Sequence, residues 1–342
     1  MVNNKLIDSL FFWLFGLFCL IFLNLFYEPE KIIWISLILV YLYPLFFCLI
    51  IFSVTRYVKQ IKIKLILSYL LYFSITITSV FGYTKVMDGS YASSPNLILF
   101  GLSFYTTTIG YILFKKKYLN IADVLFASNP ILIFTGPILV YFKNIKHKKI
   151  KSRIKYFFPY FIIGVFLIES VSNYITPTFY LSKNLDLVSS LGFAVIFELY
   201  IYANFCGLSL ILYSISGIYG YLIPLNFKQP FSSNNVIEFW RGWHISLSFV
   251  LKEFFYKPIR NKTNVYFSIL IVFLASALWH GVSLTFIMWG LIHFLCFSLT
   301  IFLSKKRIKI FNKLILIFAI IIGRLFFLES DLSTLFNKLY FK

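Results

Sequence analysis

Charge is what this chain has least of. Only 13% of its 342 residues are charged, where soluble globular domains carry about 25%. With 60% of residues hydrophobic, too little polar material remains to coat a water-exposed surface, which excludes an ordinary soluble domain and makes lipid the solvent. Acids are scarcer than bases, 12 against 32. Inside the apolar stretches only Glu169 and Glu198 are acidic, which argues against a proton-coupled carrier built on a carboxylate relay. The four cysteines, Cys19, Cys48, Cys206 and Cys296, are scattered through apolar segments. They have neither close pairing nor C-x-x-C spacing, so a thiol redox site, a zinc site and a disulfide framework find no support. No H-E-x-x-H, P-loop or G-x-S-x-G pattern is present, which disfavours zinc proteases, P-loop NTPases and α/β-hydrolases. The first apolar stretch, Ser9 to Phe26, lacks a small-residue cleavage site and is soon followed by another, so it reads as a membrane helix rather than a signal peptide.

What the chain does have is a succession of apolar segments. A spanning helix needs about 20 of them in a row, and candidates lie at 9–27, 32–54, 63–84, 96–114, 156–174, 187–222, 264–280, 284–303 and 309–328. The stretch 187–222 is too long for one upright span, and Asn204 to Gly207 offers a polar, flexible interruption; a tilted or broken helix is expected. The net charge of +20 resides in short links such as Arg56 to Lys64, Lys115 to Lys117 and Lys305 to Lys309. These mark cytoplasmic loops, and membrane topology accounts for them without nucleic acid. Ile121 to Phe142 is apolar but contains Pro130 and Thr135-Gly136-Pro137 and precedes the most basic loop; a re-entrant segment with both ends cytoplasmic keeps the alternation. The N-terminus is then inside and the C-terminus outside. The expected class is an all-α, polytopic integral membrane protein with about nine to eleven transmembrane helices, forming a single membrane-embedded domain over 1–342.

Two stretches carry chemistry. Phe231 to Pro258 mixes Trp240, Trp243, Phe249, Phe254 and Phe255 with Glu238, Arg241, His244, Lys252 and Glu253. On a continuous helix Glu238, Arg241, His244, Ser248 and Lys252 would fall within about 120° of one another as one polar stripe. The stripe is either the wet side of an interfacial helix or the wall of a polar cavity faced by His244. The second stretch is Leu278-Trp279-His280-Gly281-Val282-Ser283, with a histidine ending an apolar helix. An ionisable side chain at membrane depth is a functional candidate, and imidazole is suited to take a proton from a hydroxyl near neutral pH. The competing assignment for His280 is a core histidine satisfied by a backbone carbonyl. His293 is a weaker candidate, and His147 sits among solvated lysines.

At this point the residues resemble a known family. Phe239-Trp240-Arg241-Gly242-Trp243-His244-Ile245-Ser246-Leu247-Ser248, followed about thirty residues later by Leu278-Trp279-His280-Gly281, is similar to the paired histidine blocks of the membrane-bound O-acyltransferases. Lys252 to Pro258 resembles the segment after the first block in bacterial members, and Asn226 to Phe231 the run leading into it. Gly101-Leu102-Ser103-Phe104-Tyr105-Thr106 resembles the family's G-x-S-F-Y-T-F segment, and Phe134 to Ile138 its later A-G-P-I or S-G-P-I turn. Gly323 to Phe327 resembles the W-V-F-F-R-A ending of the alginate O-acetylase branch. The likeness covers 95–335, with 1–95 as weakly similar N-terminal helices.

The resemblance implies re-entrant and interfacial helices around a central cavity, and acyl transfer from a cytoplasmic thioester to a hydroxyl acceptor. His280 would be the principal catalytic residue and His244 the second. Trp240, Trp243, Ser248, Trp279 and Asn204 would line the cavity, with Arg241 and Lys252 near an anionic donor such as acetyl-CoA. No cofactor is held permanently and no metal is expected. The expected function is O-acetylation of a cell-surface or exported polysaccharide from the bacterial inner membrane, with a separate partner protein presenting the glycan. The alternatives are D-alanyl transfer to teichoic acid, peptidoglycan O-acetylation, and a non-catalytic lipid or polysaccharide transporter. A covalent route through Cys206 or Ser283 competes with direct transfer. Three departures stand out. The family's D-F-x-G-Y-S-D reads Asn204-Phe205-Cys206-Gly207-Leu208-Ser209-Leu210, losing both acids, and Gly242 replaces a usual second arginine. Fewer helices lead the chain than in typical members.

Overall fold

The computed structural model describes residues 2–27, 34–58, 60–74, 76, 102–116, 118–130, 143–172, 187–328 and 332–338. The described chain is helical apart from one two-stranded ribbon, as the apolar runs require. In order come α1 (Val2–Tyr27), α2 (Trp34–Tyr57), α3 (Ile61–Tyr72), α4 (Leu102–Lys115), α5 (Ile121–Ala127), β1 (Lys143–Asn144) and α6 (Ile150–Phe166), which runs into a π turn at Leu167–Val171. Then follow α7 (Leu187–Tyr219), β2 (Tyr221–Leu222), a 3₁₀ turn at Pro230–Ser232, α8 (Val236–Gly242) and α9 (Ile245–Leu251). A second π turn (Lys252–Tyr256), α10 (Lys257–Arg260), α11 (Val265–His280), α12 (Leu284–Lys305), α13 (Asn312–Leu328) and α14 (Leu332–Lys338) complete it. Among the described residues three helices have the length and apolar composition to cross a membrane: Ile150–Val171, Val188–Tyr219 and Leu284–Lys305. Shorter apolar helices lie at Leu6–Phe18, Leu42–Tyr57 and Val265–His280.

The chain forms two compact units, 1–159 with 212–224, and 160–211 with 225–342. In the first, α1 is stitched to α5 by side chains reaching main-chain oxygens: Trp13 Nε1 donates to Ser128 O at 3.1 Å and Asn129 Nδ2 to Phe12 O at 3.0 Å. Each bond satisfies a buried carbonyl where lipid would offer no partner. Asn120 caps α5, its Oδ1 accepting from Asp123 N at 2.9 Å while the Asp123 carboxylate accepts from Asn120 N and pairs with Lys116. This capping box starts the helix, which stops at Ser128 after seven residues. Ile121–Ala127 is thus too short to span. The Thr135–Pro137 turn expected to complete the re-entrant segment lies outside the described residues, as does most of 73–84. The ribbon pairs Lys143 with Leu222 and Asn144 with Tyr221.

Of the two forms expected for 187–222, the broken one does not occur: α7 runs unbroken for 33 residues, with 187–211 in the second unit. Gly207 has a packing role instead. A Cβ there would fall 2.7 Å from Ile168 Cγ1 and 2.9 Å from Gly164 O, and one at Gly164 would fall 2.7 Å from Gly207 O. Paired glycines let the two backbones touch, the device by which membrane helices associate when lipid is as apolar as leucine. Gly207→Leu should therefore lower stability by about 1–3 kcal/mol through overpacking, read as thermal unfolding of the full chain in detergent. An unchanged midpoint would refute the contact. A similar close approach joins α11 to α12, since a Cβ on Gly290 would lie 2.9 Å from Phe273 O.

Candidate active site

His280 is the last residue of α11, and the local sequence dictates why the helix ends there. Gly281 has φ +148° and ψ 173°, a region essentially closed to side-chain-bearing residues. Asn264 Oδ1 caps the other end of α11 by accepting from Phe267 N at 2.8 Å. After the glycine, Ser283 caps α12. Its Oγ accepts from Thr285 N at 3.2 Å and lies 2.6 Å from Thr285 Oγ1. The glycine conformation on one side and the Ser283 cap that starts α12 on the other define the helix–helix corner at which the His280 backbone sits.

Aromatic rings frame the His280 imidazole. Its centroid lies 5.0 Å from Trp279, 5.5 Å from Trp289 and 4.8 Å from Phe327, all at 83–85° between planes, with Phe286 at 6.0 Å and 43°. Edge-to-face contacts of this kind fix a ring's orientation. His280 as a residue is half-buried, with these aromatics walling its ring.

His244 reaches the same tryptophan, its ring 6.0 Å from Trp279 and 4.8 Å from Phe205. The two histidines named from the sequence thus share Trp279 as a neighbour. The single polar stripe does not exist, because the helix it needs is interrupted. α8 stops at Gly242, Trp243 is extended, and His244 sits at φ +43° before α9 begins. A non-glycine residue in that region is uncommon and strained, and the segment around Asn226 holds it there. Asn226 O accepts from Ile245 N at 2.9 Å, Asn226 Oδ1 accepts from Ser246 Oγ at 2.8 Å, and Lys228 N donates to Gly242 O at 2.9 Å. His244 is consequently buried, while Glu238, Arg241 and Lys252 remain exposed.

Glu238 is occupied with capping. It accepts from Asn234 N at 2.9 Å and Asn235 Nδ2 at 2.7 Å. The Asn234 amide first, then Asn235, Arg241 and Lys313, hold its carboxyl below the usual range. Ser248 Oγ lies 3.4 Å from both Trp240 O and Trp243 O, tying α9 back to α8. Trp243 is buried, stacked on Phe239 at 5.4 Å and 20°. Asn204 Nδ2 donates to Ser172 Oγ at 3.3 Å, so the amide standing where the family has an acid has a local partner. Trp240 packs edge-on to Trp289 at 5.9 Å and to His293 at 5.0 Å.

The geometry brings three further features to the neighbourhood of His280. His293 is buried one ring from His280, through Trp289 at 5.1 Å, and its Nδ1 has no hydrogen-bond partner. Gly323 presses on its other nitrogen, a Cβ there falling 2.7 Å from Nε2. Phe327 contributes a wall of the His280 frame, and Glu198 pairs with Arg324 behind it. A visible signal existed for that pair: two opposite charges inside apolar runs. An open apolar hollow of about 630 Å³ between α12 and α13, lined by Leu295, Leu299, Leu314 and Phe318 among others, contains none of the histidines. Among the described residues no cluster of three His, Cys, Asp or Glu side chains is arranged for a metal ion.

An aromatic-framed, half-buried histidine at a helix corner, with a second histidine behind the same tryptophan, defines a histidine site within a helical membrane protein. The chain belongs to the membrane-bound O-acyltransferase family, matching it over residues 21–330. Its relatives include a peptidoglycan O-acetyltransferase of Helicobacter pylori, 31% identical over 146 residues, covering 40% of this chain and 28% of that protein. A probable alginate O-acetylase AlgI of Pseudomonas putida is 30% identical over 173 residues, 47% and 36% of the two chains. A teichoic acid D-alanyltransferase of Bacillus subtilis is 26% identical over 163 residues, 42% and 40%. The matched stretch spans roughly a third of the length of these curated relatives.

Proposed function

We propose that the protein is an O-acetyltransferase of the bacterial inner membrane, moving an acetyl group from a cytoplasmic thioester, acetyl-CoA or a related donor, to hydroxyls of a cell-surface or exported polysaccharide. The observation that carries this is His280, a half-buried histidine at a helix end whose ring is oriented by Trp279, Trp289 and Phe327. A neutral imidazole so placed takes the proton of the acceptor hydroxyl as its oxygen attacks the thioester carbonyl. It returns that proton to the thiolate as the C–S bond breaks, a general acid–base contribution on the order of 10²–10⁴-fold. The ester forms, the thioester is consumed and charge balances at each step. His244 supports the same site across Trp279.

Direct transfer is favoured over a covalent route by what the two candidate nucleophiles do. Ser283 Oγ is committed to capping α12, and Cys206 is buried within a hydrophobic cluster with Phe227 and Phe239. Cys206→Ser should leave the transfer rate within about twofold of wild type, since no step of direct general-base transfer uses it. A loss comparable to that of His280→Ala would establish an acyl-cysteine route.

The acceptor is presented by a separate protein in this scheme. The assay supplies radiolabelled acetyl-CoA to vesicles from cells expressing the full chain and counts label in envelope polysaccharide, with a carrier-bound D-alanyl thioester in a parallel arm. Acetyl label in the polysaccharide is expected. Label from the D-alanyl arm alone would move the assignment to teichoic acid, in keeping with the Bacillus relative, and label from neither would remove the enzyme assignment.

A further inference from the structure

Glu198 and Arg324 lie inside apolar helices α7 and α13, only 4% and 8% exposed. Arg324 Nε and Nη2 both point at Glu198 Oε2, a two-pronged hold that fixes the guanidinium plane. Arg324 lies beside Phe197, which belongs to a buried apolar cluster with Ala194, Leu325 and Leu328. Stability alone does not explain it. Replacing a buried ion pair with apolar side chains of similar volume is often neutral or stabilising, and ionisable residues at membrane depth are costly.

The contacts of Arg324 suggest what the pair does. Its guanidinium carbon lies 4.9 Å from the Phe327 ring centroid and 5.9 Å from that of Phe197. Phe327 in turn stands edge-to-face against His280 at 4.8 Å and 83°, and also meets Phe286 at 5.0 Å and Trp289 at 5.5 Å. One ring therefore separates a fixed cation from the imidazole. A cation over a ring face adds an attraction that a leucine would lack, and an edge-to-face contact transmits ring tilt to its neighbour. Glu198 and Arg324 are 126 residues apart in sequence, so α7 and α13 must dock correctly before the guanidinium is held.

We propose that Glu198 and Arg324 are positioning residues for the transfer reaction: the ion pair holds Phe327 edge-on to His280 and thereby sets the orientation of the imidazole. This rests on His280 acting as the base, so its test includes a readout that needs no turnover. The central variant is the neutral double Glu198→Leu/Arg324→Met, chosen because apolar replacement leaves no unpaired charge and preserves folding. Its detergent unfolding midpoint should equal or exceed that of wild type. With labelled acetyl-CoA and the cells' own envelope polysaccharide, kcat should fall by about tenfold while KM for acetyl-CoA stays within about twofold, as expected when orientation rather than binding is lost. Phe327→Leu should lower kcat similarly, and adding it to the double should cost little more, since the residues act through one contact. Arg324→Lys, which keeps the charge but loses the fork, should fall between.

The rate at which diethyl pyrocarbonate modifies His280, followed on the peptide by mass spectrometry, should change by about threefold or more in the double variant if the ring frame has loosened. Wild-type kcat together with unchanged His280 modification in a folded double variant would overturn the proposal. So would a kcat loss that adds independently to that of Phe327→Leu. If the modification rate shifts while wild type itself transfers no label, the acyl-transfer assignment fails and the positioning of His280 stands.

Discussion

His280→Ala is expected to lower transfer of labelled acetyl groups by at least about 10²-fold, the lower end of what general acid–base catalysis supplies, with the variant reaching the membrane at wild-type abundance. The two parts of that expectation have separate structural causes. The helix corner is built by Gly281 at φ +148° and by the Ser283 cap, neither of which uses the imidazole, so insertion and folding survive its loss. In the variant the frame of Trp279, Trp289 and Phe327 loses the imidazole it surrounds. His244 is buried behind Trp279, so His244→Ala should be the milder lesion, about tenfold, acting through the site's shape and electrostatics. Vesicle assays with abundance normalised by immunoblot decide between these outcomes. Acetylation retained by His280→Ala would end the assignment of the base, and equal defects in both variants would mean that the histidines share the chemistry.

How much of this was legible depended on how local each signal was. The helices α11 and α12 follow from apolar runs bounded by Gly281, Ser283 and a basic link, all local features, and the structure places them within a few residues of expectation. The resemblance was carried by contiguous blocks, so His244 and His280 could be named without knowing the fold. The errors came where a residue's role is set by a distant partner. Gly207 reads as a flexible break until Gly164 is placed against it. The stripe from Glu238 to Lys252 is a sound helical wheel on a helix that the Asn226 segment interrupts at His244. The partnership of Glu198 with Arg324, and the use of Phe327 as a wall for His280, span separations of 126 and 47 residues. No periodicity reports those.

Gly242→Arg puts back the second arginine that the family usually carries beside this histidine, and the structure predicts that it will harm rather than help. A Cβ at position 242 would fall 2.6 Å from Lys228 O and 3.4 Å from Pro230 Cα. Both obstacles are backbone, so no rotamer change relieves them. The same residue supplies the carbonyl that accepts from Lys228 N at 2.9 Å, one of the bonds holding the 226–228 segment against the α8–α9 junction. Opening the gap enough for a side chain must shift that segment, and with it the Asn226 contacts to Ile245 and Ser246 that keep His244 at φ +43°. The cost of such overpacking is about 1–3 kcal/mol, and because the displaced residue is His244, transfer should fall by about tenfold or more, matching or exceeding His244→Ala. Gly242→Ala separates the two components: it carries the clash without the charge. If the alanine variant is as impaired as the arginine variant, sterics decide, as the geometry requires. A gain of activity in Gly242→Arg would show instead that the missing cation, and not the close backbone, is what limits the site.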